Sequence, residues 1–226
     1  MKLYAYWRSS SAWRVRIVLE VKGLVYEYVA INLAPQVLEQ STAAYAEVNP
    51  MQQVPVLEWF EGGERIRLSQ SVAIIEYLEE LHPAPALRPS GTVSRARARE
   101  AVQIVNSGMQ PLQNSSTLAA IKRIAGEAAM RAWACDVMGP GFDALELHAQ
   151  RFAGRYSIGD DLSWADVYLV PQLYNARRWG LSLAAFPRLL AIESHLDELA
   201  AFQRARPEAQ PDAMLAPALR GAGPPA

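Results

Sequence analysis

Three consecutive hydroxyls, Ser9, Ser10 and Ser11, stand between Arg8 and the pair Arg14 and Arg16. Here a short apolar and aromatic run, residues 3–6, gives way to a segment carrying Val15, Ile17, Val18 and Val21. The pattern reads as strand, cap and helix, with Gly23 placed to end the helix. At such a junction the backbone amides and the positive end of the helix dipole favour an anion. One serine would serve simply as an N-cap; three in a row, flanked by arginines, point to an anion site as well. A hydroxyl there can donate to the thiolate of a bound ligand and lower its pKa from the roughly 8.5 of a free thiol. A serine acting as its own nucleophile lacks support, since there is no G-x-S-x-G and His82, His148 and His195 follow no catalytic pattern. With Cys135 the single cysteine there is no C-x-x-C and no disulfide chemistry, so any thiol nucleophile is borrowed.

The elements that must position these hydroxyls alternate. Residues 25–31 have the β-branched and aromatic content of a strand, and residues 42–48 form a short Ala-rich helix ending before Asn49-Pro50. A third strand opens at Val54-Pro55, and Gly62-Gly63 supplies the positive-φ residues of a tight hairpin into residues 65–68. Ser69, Gln70 and Ser71 then open a helix with Val72, Ile75 and Leu78 on one face, stopped by His82-Pro83. The order is βαβαββα over residues 1–82, the layout of a thioredoxin-like domain. Residues 83–91 form a Pro- and Gly-bearing linker. Residues 92–206 carry no strand signal and read as an all-helical domain, with breaks at Gly108-Met109-Gln110-Pro111, Gly139-Pro140-Gly141, Gly159-Asp160 and Phe186-Pro187. Residues 207–226 hold five prolines and predict an irregular, partly disordered tail. The fold class is thus α/β followed by all-α. Within the helical part Ser163 and Asp166 read as a capping box with Leu162 and Val167 as its staple, which gives Asp166 a structural rather than a catalytic role.

Composition limits the function classes. The chain has 226 residues, of which 51% are hydrophobic, and 22 basic against 23 acidic residues leave a net charge of -1. That balance provides no sequence-wide attraction to nucleic acid or to an anionic membrane. Three scattered histidines predict no metal site, and the single cysteine fits a reducing compartment. The N-terminus meets charge too early for a signal peptide, and no stretch nears ~18 uninterrupted apolar residues. The expectation is a cytoplasmic protein.

SSSAWRVRIVL (9–19), NPMQQVPVL (49–57), QSVAIIEYLEE (70–80), GMQPLQN (108–114), GFDALE (141–146) and VPQLYNARRW (170–179) together resemble the zeta class of glutathione transferases over nearly the whole chain. The class motif is S-S-C-x-W-R-V-R-I-A-L, so Ser11 stands where the class usually has cysteine. The resemblance implies reduced glutathione as cofactor, with Ser9 facing its sulfur and Ser10 and Ser11 beside it. It implies a cis Pro55, with Gln53 and Val54 along the cysteinyl part and Gln70 and Ser71 at the γ-glutamyl end. Gln110, Asn114 and Arg178 match substrate-pocket positions, Arg178 as the substrate carboxylate's partner, and Arg8 is a second candidate cation. Ser9, Ser10 and Arg178 would be the catalytic set. For Arg177 and Arg178 a solvated helix face is the alternative, holding for at least one of them.

The implied activity is cis–trans isomerisation of maleylacetoacetate to fumarylacetoacetate in tyrosine and phenylalanine breakdown, by reversible addition of the glutathione thiolate. Maleylpyruvate isomerisation, general transferase activity and a non-catalytic dimerisation module are the alternatives. Homodimerisation is implied by the resemblance alone. Serine at position 11 removes a thiol, which argues against side reactions through a mixed disulfide. Helical spacing turns Arg14 and Arg16 away from the Ser9 side, so these, with Arg95, Arg97 and Arg99, read as structural. Trp13 reads as packing and Cys135 as a small buried apolar residue.

Overall fold

The structure, a computed structural model, describes residues 1–213. Four strands, β1 (Lys2–Ala5), β2 (Glu27–Ala30), β3 (Val56–Glu61) and β4 (Glu64–Ser69), form one sheet in the order β2-β1-β3-β4. β1 runs parallel to β2 and antiparallel to β3, and β3 is antiparallel to β4. Gly62 (φ 57°) and Gly63 (φ 85°) turn the β3–β4 hairpin in the left-handed region that glycine enters without steric cost. β2 is shorter than the expected 25–31, because β1 offers four residues to pair with and Val25 is left 90% exposed.

Helices α1 (Ser10–Val21) and α3 (Ser71–Leu81) pack on each other, while α2 (Ala43–Ala46) is a single turn capped by Thr42. In α3 the buried stripe is Ile74, Ile75 and Leu78, with Val72 only half-buried. Each such aliphatic side chain contributes about 1.5–3 kcal/mol by leaving water. Lys22, just beyond α1, is buried and donates to the His82 and Pro85 carbonyls at 2.6 and 3.1 Å, and it pairs with Glu79 at 2.8 Å. Removing either member of that pair would strand a buried charge.

Contacts divide the chain into two compact units. Among the described residues, one joins Met1–Pro85 to residues 199–213, and the other is Ala86–Glu198. The division after Pro85 falls inside the linker read from the sequence. The far boundary differs from 206: α8 (Ala200–Ala205) packs on α1 with Phe202 and Ala205 buried, and Arg204 pairs with Glu20 at 2.6 Å. Of the expected irregular tail, Pro207–Ala209 and Pro211–Ala213 are two 3₁₀ turns with Gln210 and Asp212 buried. The rest of the tail lies outside the described residues.

The second unit contains α4 (Thr92–Gln103), α5 (Ser115–Phe152), α6 (Trp164–Trp179) and α7 (Pro187–Leu196). Breaks fall as expected near Gly159 and Phe186. At 108–111 the chain does not leave helical winding: a π segment, Ile104–Met109, tightens into a 3₁₀ turn, Gln110–Gln113. The expected break at Gly139-Pro140-Gly141 is absent. α5 passes through it, and the discontinuity lies at Gly126 (φ 86°, ψ 176°). Gly141 is a packing glycine, since a Cβ there would lie 2.4 Å from the Met109 sulfur. The capping box at Ser163 and Asp166 is present at the start of α6. The Asp166 carboxylate accepts from the Ser163 amide and the Ser157 amide, both at 2.8 Å, and from the Ser163 hydroxyl at 3.1 Å. Burial pushes its carboxyl above the usual range while these donors pull against it.

Candidate active site

The register of the sheet decides where the site residues of the first unit gather. Tyr4, Val56 and Ser69 are level with one another across β1, β3 and β4. β1 and β4 run the same way and end at this edge, whereas β3 begins there. The chain segments carrying Ser9, Val54-Pro55 and Gln70-Ser71 therefore emerge at one end of the sheet, and α1 and α3 start at that end with their positive dipole ends. The β3–β4 hairpin and the antiparallel β1–β3 pairing suffice to collect residues more than sixty positions apart.

Ser9 is the N-cap of α1, its hydroxyl oxygen accepting from the Ala12 amide at 3.2 Å. A serine hydroxyl has one donor and two acceptor lone pairs. Capping uses an acceptor and leaves the O–H hydrogen to be donated, so the capping role and a thiolate-stabilising role are compatible. Ser10 and Ser11 form the first turn of the same helix, half-buried like Ser9. Arg8 lays its guanidinium over the Trp7 ring at 5.1 Å.

The Val54-Pro55 peptide bond is cis. Before it, the Gln53 carbonyl accepts from the Tyr45 hydroxyl at 2.9 Å and from the Asn49 side-chain amide at 2.8 Å. Asn49 is 3% exposed and also receives the Met51 amide, while Gln52 holds φ at 55°. With its oxygen held this way, the trans Gln53–Val54 peptide turns the Val54 N–H to the opposite side, as an added extended ligand would need. Burial pushes the Tyr45 phenol well above its ordinary value, which keeps it a donor. Tyr45 and Asn49 are site-building residues that the sequence reading passed over. The signal was an asparagine directly before proline, read only as a helix end.

Gln70 is exposed and holds φ at 72°, a conformation costing a non-glycine residue on the order of 1–3 kcal/mol. Its carbonyl accepts the first amide bond of α3, from Ile74 at 3.0 Å. Ser71 is 5% exposed, and its oxygen accepts from the wholly buried Arg14 guanidinium at 3.4 Å. Because guanidinium has no acceptor, the Ser71 oxygen must receive that bond, and its own hydrogen is directed elsewhere. Arg14 is thus wholly buried, and its partner is one of the candidate site residues.

In the second unit Gln110 opens the 3₁₀ turn, and Asn114 is the N-cap of α5, accepting from the Thr117 amide at 2.9 Å and the Ser116 hydroxyl at 2.8 Å. Arg177 is taken by a two-pronged ion pair with Glu193, which holds its guanidinium protonated above the ordinary range. Arg178 is exposed, its guanidinium 4.7 Å over the Trp179 ring. Cys135 is half-buried rather than buried; its thiol donates to the Trp179 carbonyl at 3.5 Å, and burial raises its pKa. Among the described residues no cluster of His, Cys, Asp or Glu could hold a metal ion, and no helix is long and apolar enough to cross a membrane.

Residues 3–86 match the family described as glutathione S-transferase, N-terminal domain. With the four-stranded sheet, the cis-proline strand and the serine-capped first helix, that match sets the class of the first unit. Mouse maleylacetoacetate isomerase is 45% identical across 93% of this chain and 94% of its own. A crystal structure of maleylacetoacetate isomerase from Anaeromyxobacter dehalogenans 2CP-1, with glutathione bound in the active site, is 49% identical and has a TM-score of 0.87, covering 94% of this chain and 97% of that one. A maleylpyruvate isomerase, described as a bacterial glutathione transferase of the zeta class, is 42% identical with a TM-score of 0.88, covering 94% and 99%. The chain belongs to the zeta-class glutathione transferases, the family of the maleylacetoacetate isomerases.

Proposed function

We propose that this chain is a glutathione-dependent isomerase that converts maleylacetoacetate to fumarylacetoacetate. The observation that carries the reading is the gathering of Ser9, Val54-Pro55 and Gln70-Ser71 at one end of the sheet, beside two helix N-termini. The donor set fits glutathione. Ser9 keeps a hydrogen to donate to a sulfur, the Val54 N–H is turned outward for the cysteinyl backbone, and the start of α3 with Gln70 and Ser71 suits the γ-glutamyl carboxylate. Ser10 and Ser11 stand beside Ser9 in the first turn of α1.

Bound glutathione supplies the thiolate that adds to the alkene and departs again, leaving a temporary single bond about which rotation occurs. Ser9, helped by Ser10 and the α1 dipole, holds the sulfur ionised by donating to it. Arg178, at the position that matches the family's substrate-carboxylate arginine, takes a substrate carboxylate. Arg8 is the second cation, and Gln110 and Asn114 shape the substrate side, with Asn114 doing so while it caps α5. The fixed donors around the sulfur need no reorganisation as charge moves into the substrate. A place in tyrosine breakdown, a cytoplasmic site of action and a homodimeric state complete the reading.

The likeness to a maleylpyruvate isomerase supports that shorter keto diacid as the second reading. One assay separates them: turnover of maleylacetoacetate and of maleylpyruvate, each with and without glutathione. Glutathione-dependent turnover favouring maleylacetoacetate is expected. Preference for maleylpyruvate moves the reading to the alternative, and turnover of neither removes both.

A further inference from the structure

The chain between β1 and Ser9 is held by the far end of the protein. Asp212, 8% exposed, accepts the Trp7 amide at 2.9 Å and the Tyr28 hydroxyl at 2.9 Å. Arg16, wholly buried in α1, donates to the Trp7 carbonyl at 2.9 Å, the Tyr6 carbonyl at 3.4 Å and the Ala205 carbonyl at 3.1 Å.

The Tyr6 carbonyl and the Trp7 N–H are the two ends of one peptide unit. That unit lies with a guanidinium at its oxygen and a carboxylate at its N–H, each charge facing the matching end of the peptide dipole. The next peptide unit is held by Arg16 at the Trp7 carbonyl. The Ser9 amide then donates back to the Tyr6 carbonyl at 3.0 Å, and the Ser9 hydroxyl accepts from Ala12. The backbone position of Ser9, from which its hydroxyl projects, thus follows from the orientation of a peptide plane fixed by two buried opposite charges. Such charges are costly to bury alone and tolerable together when hydrogen-bonded. Burial of Arg16 lowers its pKa to about 10, still well above neutrality.

We infer that Asp212, with Arg16, is a positioning residue for the proposed thiolate-stabilising serine, so that the 3₁₀ turn at Pro211–Ala213 belongs functionally to the active site. The inference rests on the glutathione reading of Ser9. Its mechanism is orientation: with Asp212 removed, the Tyr6–Trp7 peptide is held at one end only, and Ser9 spends part of its time with its hydrogen directed off the sulfur. Charge-assisted bonds to a backbone amide are the strong ones, and the Asp212 carboxylate makes one to Trp7.

The test uses the full chain and three variants, Asp212→Ala, Asp212→Asn and Tyr28→Phe, and follows the ultraviolet absorbance of the bound glutathione thiolate against pH alongside calorimetric glutathione binding. For Asp212→Ala the thiolate midpoint should rise by about one unit, a tenfold smaller ionised fraction below the midpoint, while glutathione affinity at a pH above both midpoints changes little. Asp212→Asn keeps an oxygen for the Trp7 amide and should recover part of the shift. Tyr28→Phe leaves the Trp7 bond in place, is the milder change should Asp212→Ala fold poorly, and should shift the midpoint less than Asp212→Ala. A midpoint unchanged in folded Asp212→Ala, or in Asp212→Asn and Tyr28→Phe alike if the alanine variant does not fold, would overturn the inference and leave the glutathione reading intact. Failure of the unaltered protein to ionise glutathione overturns that reading itself.

Discussion

In the first unit the residues assigned to glutathione stand where backbone ends meet, level with Tyr4, Val56 and Ser69 across three strands. In the second, Gln110, Asn114 and Arg178 are spread over a 3₁₀ turn, a helix cap and the last turn of α6. A ligand with a peptide backbone can be met by sheet edges and helix starts, whose geometry is set by the fold. A small dicarboxylate offers only carboxylates and carbonyls, and these must be met by side-chain tips. The glutathione residues proposed in the first unit are therefore placed by topology, and the substrate residues proposed in the second by a few individual side chains.

This contrast can be broken at several strengths. The largest effect is expected at Asp166, where a buried carboxylate satisfies two amides and a hydroxyl; Asp166→Ala leaves those donors unmatched and should cost about 3 kcal/mol or prevent folding. Denaturant midpoints would show it, and a near-native midpoint would mean the capping box carries little. Next comes Ser9→Ala, expected to cut isomerisation on the order of 10²-fold while costing about 1 kcal/mol of stability through the lost cap. Equal loss of glutathione affinity and of rate would make Ser9 a binding residue only. Smaller again, Arg178→Ala should raise KM for the dicarboxylate about tenfold with kcat little changed, whereas Arg177→Ala should lower stability through Glu193 and leave KM alone. The reverse pattern would exchange the two assignments.

The smallest effect concerns pH and the sheet. Burial alone would raise the Glu58 carboxyl, but the Arg67 guanidinium at 2.7 Å and the Tyr4 hydroxyl outweigh it, so its pKa lies below the ordinary range. A depressed carboxylate stabilises the fold above its unfolded pKa, and that contribution disappears as pH falls through the folded value. Glu58→Gln should therefore cost about 1 kcal/mol near neutrality and make stability less sensitive to pH in the acid range. An acid transition as steep as before would place the titrating group elsewhere.

The first unit was legible because local signals agreed. A glycine pair, a proline at a strand start and serines before two helices each mark a backbone event, and the proposed glutathione site is made of such events. Residues that act at a distance along the chain left no such mark. Asn49, Tyr45 and Asp212 find their partners only once the strands are registered and α8 returns to α1. Gly139-Pro140-Gly141 misled for a related reason, because glycine also permits close approach, and only Met109 across the gap reveals which use applies. In the second unit the sequence offers two adjacent arginines, and the pairing of Arg177 with Glu193 is visible only in the structure.

The central claim is that Ser9 and the α1 start ionise a bound glutathione sulfur. Titrating the ultraviolet absorbance of the glutathione thiolate with saturating protein tests it most directly. The account predicts a midpoint at least one unit below the roughly 8.5 of a free thiol, moving back toward that value in Ser9→Ala. A bound thiol that titrates like free glutathione, or a midpoint indifferent to Ser9, would contradict it.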